Sequence, residues 1–294
     1  MDLLGNDFLK TVKTGDKIKY QKTEQLKLLT KYYYLTIVVA ILLIATSCNT
    51  NNKQKEVTTN ENNISHDWSY TGETSPDHWD ELEKNSDCGG SAQSPINIIE
   101  DVAVFKASGK SELLFHYSPE TIIYNVENNG HSIQFNFEEG DSITYKGKVY
   151  YLKQFHFHEG SEHSINGVKF PVEIHFVHAN KDHGFTVLSI LGEEGEKDRS
   201  MVFLESFLPI DRGEKKKIGK AFDFKSVYPP STIEYFTYSG SLTTPPCTEG
   251  VNWIVFKKTV ILSSDQVKKL KNNMPLNNYR NEQELNGRIV SKNF

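Results

Sequence analysis

The chain has 294 residues, 37% of them hydrophobic and 24% charged, a balance that fits one large folded domain or two modest ones and excludes a wholly disordered chain. The formal net charge of −5 gives no electrostatic case for nucleic acid as a partner. Aromatic residues reach 12%, led by Phe and Tyr, which favours strands over helices.

In chain order, the first feature is Leu35–Ile44 (LTIVVAILLI), a continuous apolar run behind Lys31. It is short for a bilayer-spanning helix and fits the apolar region of a signal peptide. Ala45, Thr46 and Ser47 follow, then Cys48. This ending resembles a bacterial lipoprotein signal, although Ala45 replaces the larger aliphatic residue usual there and the segment before the apolar run is long. The resemblance implies that 1–47 is removed, that Cys48 carries a lipid, and that the protein is exported to the periplasm or cell envelope and tethered to a membrane. Residues 48–63 are polar, with almost nothing to bury, and read as a disordered tether. Residues 64–294 form one domain with no internal repeat.

Within that domain, short runs alternate polar and apolar residues, the period of half-buried strands. They are Ser132–Phe137 (SIQFNF), Gln154–His158 (QFHFH), Val172–Val177 (VEIHFV) and Trp253–Phe256. Phe185–Leu191 (FTVLSIL) is apolar almost throughout, as in a strand buried on both faces. Gly, Asn and Asp mark turns at Glu127–Gly130 and Asn166–Gly167. Helical signals are confined to Met201–Leu208 and Ser264–Asn272, the second with Ser263 or Ser264 as its N-cap. The expected fold class is mainly β (α+β): a single domain on a large, mostly antiparallel twisted sheet with a few short surface helices.

Alternate side chains of a strand share a face. His156 and His158 therefore point one way, Phe155 and Phe157 the other; Glu173 and His175 likewise share a face. If the two strands are neighbours, three imidazoles converge. Three neutral imidazoles leave the charge of a zinc ion unquenched and a fourth position open for water, the arrangement of a catalytic site. An H-x-H pair alone is weak evidence, because two ordinary strand histidines are commoner than a metal site.

The surrounding text is more specific. Gln154–Asn180 (QFHFHEGSEHSINGVKFPVEIHFVHAN), Gln93–Ile98 (QSPINI), Asn128–Ser132 (NNGHS) and Gly240–Val255 (GSLTTPPCTEGVNWIV) stand in the order they have in α-carbonic anhydrases, which the chain resembles over about residues 66–292. The resemblance implies reversible hydration of carbon dioxide to bicarbonate, with one zinc per chain on His156, His158 and His175. Gln154 and Glu173 then match the partners of His156 and His175, and a backbone carbonyl is the partner left for His158. Thr243, hydrogen-bonded to Glu162, matches the residue that orients the hydroxide on the metal. Val177, Val187, Leu242 and Trp253 match the apolar substrate pocket, with Thr244 at its mouth. His131 matches the proton shuttle, a role suited to an imidazole's ordinary pKa. Tyr70, Asn129 and Gln134 match the water-filled cavity, Gln134 standing where vertebrate members usually carry Asn.

Cys88 and Cys247 match cysteines that bacterial members join in a disulfide, which requires an oxidising compartment. Ser94–Pro95 and Pro245–Pro246 are candidates for cis bonds. His163 and His178 are expected to be buried structural residues, and His66, His78, His116 and His183 surface or loop residues. A homodimer is left open. The competing reading is a carbonic-anhydrase-like binding module without catalysis; the complete set of three histidines, Thr243 and Glu162 speaks for the enzyme.

Overall fold

The computed structural model describes residues 68–82, 85–106, 112–224 and 234–294; the signal-like segment, the tether, Cys48 and His66 lie outside them. The strands are β1 (Asn97–Ile98), β2 (Val104–Phe105), β3 (Leu113–His116), β4 (Thr121–Asn128), β5 (Ile133–Phe137), β6 (Ser142–Tyr145), β7 (Lys148–Glu159), β8 (Ser164–Ile165), β9 (Val172–Ala179), β10 (Phe185–Glu194), β11 (Lys215–Phe222), β12 (Tyr235–Ser241), β13 (Glu249–Phe256), β14 (Val260–Leu262) and β15 (Ser291–Lys292). The α-helices are short: α1 (Trp79–Leu82), α2 (Arg199–Glu205) and α3 (Ser264–Lys271). Helix α2 starts two residues before the predicted span because Asp198 caps it, accepting from the Met201 N–H at 2.8 Å. In α3 the cap is Ser263, in a reciprocal box with Gln266.

The main sheet runs β11-β4-β5-β7-β9-β10-β13-β12-β15-β2. Most pairs are antiparallel, as expected, but the sheet is mixed: β10 runs parallel to β13 and β14, and β15 to β2. The alternation of each central strand feeds two cores. One face packs Phe135, Phe155, Phe157, Phe176, Leu188 and Ile254. The other packs Val187, Trp253, Val251 and Phe236, with Val177 and Leu242 at its margin. A third cluster joins Trp79 and the Cys88–Cys247 disulfide to Trp68 and Tyr70.

A bulge in β7 decides which face the histidines take. Pairing with β9 slips between Leu152 and Gln154, leaving Lys153 unopposed. Before it, Tyr150 and Leu152 are the buried residues; after it, Phe155 and Phe157 are. The core-facing set changes parity at Lys153, and His156 and His158 turn to the opposite face. Both expected X-Pro bonds, Ser94–Pro95 and Pro245–Pro246, are cis, as is Leu208–Pro209.

Candidate metal centre

Register sets the geometry. His156 on β7 lies directly opposite His175 on β9, which lies opposite Ser189 on β10. On the other side His156 faces Gln134 on β5. His156, His158 and His175 each offer one ring nitrogen, and these atoms all lie within 4.8 Å of one another. His158 and His175 are each 1% exposed, while His156 stays partly open toward the cavity.

Each ring is fixed by its second nitrogen. His156 Nδ1 lies 2.9 Å from Gln154 Oε1, and His175 Nε2 lies 2.7 Å from Glu173 Oε1. His158 Nδ1 lies 2.5 Å from the Asn278 carbonyl, the backbone acceptor the sequence could not name. All three partners accept, so each ring carries its proton on that side. The inward atoms, Nε2 of His156, Nε2 of His158 and Nδ1 of His175, are bare lone pairs. Burial first, then the neighbouring imidazoles, holds the pKa of His156 well below its ordinary value. Burial also lowers His175 and brings His158 down to about 4. The rings are therefore neutral, ligand-ready bases at neutral pH.

Two details suit a cation at this centre. His156 Nε2 and His158 Nε2 approach to 3.1 Å, and with both rings donating from Nδ1 to their outer acceptors two lone pairs face each other there. Glu162 is fully buried, yet its Oε2 has no hydrogen-bond partner of ordinary geometry and points at the same centre, 3.5 Å from His158 Nε2 and 3.8 Å from His175 Nδ1. Neutral nitrogens with a spare tetrahedral position suit zinc, so the residues present fit the implied ion.

Glu173 anchors the surroundings. Its Oε1 accepts from His175, from His163 Nδ1 at 2.7 Å and from Ser189 Oγ at 2.6 Å; its Oε2 accepts from the peptide N–H of Glu162 at 2.7 Å and of His163 at 2.8 Å. Burial opposes ionisation, but His163, His175 and these hydrogen bonds prevail and hold its pKa well below the ordinary range. Glu162 goes the other way: burial pushes it up against the pull of His175 and of hydrogen bonds from Thr243 and Arg280. The Arg280 peptide N–H donates to Oε1 at 2.8 Å.

The other expected residues lie around this centre. Val177, Val187, Leu242 and Trp253 share one apolar cluster, and the Trp253 ring packs 4.9 Å from His175. Thr243 is buried and Thr244 half-buried beside it. Asn129 folds the turn carrying His131 by accepting from the N–H groups of His131 and Ser132 at 2.9 and 2.8 Å, and its amide donates to Gln134 at 3.4 Å. Tyr70 sits 6.4 Å, ring to ring, from His131; burial and the nearby Glu162 charge push its phenol up. His131 is stacked face to face on Trp68 at 3.6 Å. Cys88 and Cys247 form a disulfide. His163 and His178 are buried, while His116 and His183 are exposed and His78 half-exposed.

Four contributors escaped the sequence reading: Asn278, Arg280, Trp68 and Ser189. Ser189 left a trace, as the only serine inside the apolar run Phe185–Leu191. The others act across sequence separations that no local pattern records.

Comparison with known proteins agrees with this geometry. The profile described as eukaryotic-type carbonic anhydrase matches residues 74–294. A carbonic anhydrase of Neisseria gonorrhoeae is 40% identical over 227 residues, covering 76% of this chain and 86% of its own. One of Klebsiella pneumoniae is 40% identical over 229 residues, covering 76% and 89%. The α-carbonic anhydrase of Thermovibrio ammonificans, solved with sulfanilamide, superposes with a TM-score of 0.72 at 38% identity over 76% of this chain and 98% of that one. With the profile spanning most of the chain and relatives this similar, the chain belongs to the eukaryotic-type, or α, carbonic anhydrase family, and the enzyme activity it carries is that of a carbonic anhydrase.

Proposed function

We propose that this protein hydrates carbon dioxide reversibly on a zinc ion held by His156, His158 and His175, with His131 passing the released proton to solvent. The observation that carries the reading is the convergence of three imidazole nitrogens beside the buried carboxylate of Glu162. Zinc held there would bring the pKa of water at its open position to about 7, making hydroxide available at neutral pH.

The chain's own residues do the rest. Gln154, the Asn278 carbonyl and Glu173 fix the tautomers of the three ligands. Glu162, as an acceptor, draws the Thr243 hydroxyl proton, so Thr243 offers only a lone pair to the cavity. It therefore selects a nucleophile that still bears a proton and aims that nucleophile's free lone pair at the substrate. Val177, Val187, Leu242 and Trp253 give apolar carbon dioxide a dry wall beside the centre. His131, at the end of the turn shaped by Asn129, takes the proton that must leave before the next cycle.

Stopped-flow carbon dioxide hydration with and without a zinc chelator tests the reading: activity should vanish with the metal, and His175→Ala should abolish both. Activity that ignores the chelator, or none in the zinc-loaded protein, would refute it. We also propose, from the apolar run before Cys48, that the mature protein begins at a lipidated Cys48 in the cell envelope; the mass of the mature N-terminus decides this.

A further inference from the structure

Glu162 and Thr243 share a hydrogen bond, yet they stand on segments far apart in sequence. One residue touches the supports of both. Arg280 is 3% exposed. Its peptide N–H donates to Glu162 Oε1 at 2.8 Å. Its guanidinium reaches the other way: Nη1 donates to Gln93 Oε1 at 2.7 Å and to the Ser94 carbonyl at 3.0 Å, and Nη2 to the Cys88 carbonyl at 2.8 Å. The Trp79 ring lies 5.7 Å from the guanidinium carbon.

Those acceptors hold the Thr243 segment. Gln93 Nε2 donates to the Cys247 carbonyl at 3.3 Å and to Glu249 Oε1 at 2.9 Å. Ser241 Oγ accepts from the Ser94 N–H at 3.0 Å and donates to the Leu242 carbonyl at 2.7 Å. Ser241 and Cys247 bracket Thr243, and Cys88 is bonded covalently to Cys247. A chain of contacts thus runs from Glu162 through Arg280 to both flanks of Thr243, by Gln93 to Cys247 and by Ser94 to Ser241. A planar fork with several fixed donors is what such a junction needs; a lysine ammonium is a single point charge on a flexible stem.

We propose that Arg280 is a positioning residue that sets the separation of Glu162 and Thr243. It thereby imposes the rule that a group bound at the open metal position must present a proton to Thr243. The proposal rests on the zinc-centre reading above. A sulfonamide nitrogen at that position can carry an N–H and satisfy the Thr243 lone pair; thiocyanate has no proton and meets lone pair with lone pair.

The test measures sulfanilamide and thiocyanate affinity, zinc content and carbon dioxide hydration on the zinc-loaded full chain and on Arg280→Lys. In the variant, zinc should stay at one per chain and kcat/KM should fall. Sulfanilamide should weaken by about tenfold, or about 1.4 kcal/mol, while thiocyanate binding stays level or tightens. Equal weakening of both ligands, as a generally loosened fold would give, overturns the proposal, and so does no change in either. If Arg280→Lys does not fold, Gln93→Ala, which removes the receiving end of the same clamp, must give the same opposed shifts. A wild-type protein without zinc-dependent activity sinks the functional reading instead, before any variant is compared.

Discussion

Replacing Glu173 by Gln should separate metal affinity from folding. The carboxylate accepts five hydrogen bonds, three at Oε1 and two at Oε2, and is fully buried. A glutamine of the same shape must put an NH2 group at one end. At the Oε2 end it would oppose two peptide N–H groups that cannot turn away. At the Oε1 end the neighbours can adapt. The Ser189 hydroxyl rotates, and His163 moves its proton to Nε2, where the Tyr238 hydroxyl lies 2.7 Å away. His175 also adapts by moving its proton from Nε2 to Nδ1, but Nδ1 is its metal-facing atom. The fold therefore survives in a tautomer that blocks the metal. Binding zinc then forces His175 Nε2–H back against an amide N–H, leaving a buried donor unsatisfied at about 1–3 kcal/mol. That corresponds to a loss of about 5- to 150-fold in zinc affinity, the scale seen when such outer partners are removed. Competition against a chromophoric chelator measures the affinity, and thermal melts of the metal-free proteins provide the control. Zinc affinity within about twofold of wild type would refute the tautomer argument, as would collapse of the metal-free fold with no separable effect on the metal.

Other consequences are open to direct measurement. His131→Ala should lower kcat by about a hundredfold in weak buffer, far more than kcat/KM, with imidazole restoring part of it; an unchanged kcat would remove His131 from the proton path. His178 is buried, and desolvation brings its pKa down from 6.5 to about 3; the unfolded chain therefore binds the proton first as pH falls, so stability is lost between about pH 6.5 and 3, by up to roughly 5 kcal/mol at 1.36 kcal/mol per unit. His178→Gln should flatten that stretch of the acid-unfolding curve, and an unaltered slope would contradict the assignment. The Cys88–Cys247 disulfide closes a separation of 159 residues; replacing both cysteines by Ser should cost about 2–5 kcal/mol in urea unfolding, and a loss below 1 kcal/mol would deny it a stabilising role.

The strands, the shared face of His156 and His158, and the hydrogen-bond partners of His156 and His175 were legible in the sequence, because each is a relation of period two within one strand. Gln154 and His156 share a face by spacing alone, as do Glu173 and His175, and both pairs are hydrogen-bonded. Relations between strands were legible only through resemblance. Nothing local says that His156 pairs with His175, or that Glu162, after β7, returns to within 4 Å of His158 and His175. Asn278 and Arg280 were invisible for the same reason. Their contacts with His158 and Glu162 are made by a main-chain carbonyl and a main-chain N–H, groups every residue carries, so no residue type marks those contacts.

The bulge at Lys153 shows how far a periodic pattern extends. Continued back from His158, period two places His156, Gln154, Leu152 and Tyr150 on one face. Leu152 and Tyr150 belong to the aromatic core, at 2% and 5% exposure. On a regular strand His156 and His158 would enter that core, away from His175 and without acceptors for their N–H groups. Alternatively, Tyr150 and Leu152 would be expelled onto the cavity side. One unopposed residue removes the conflict, since each half of β7 keeps its own alternation while the parity changes between them. The same strand can thus contribute to the core at one end and to the metal centre at the other. The QFHFH motif was readable because it begins one residue beyond the slip.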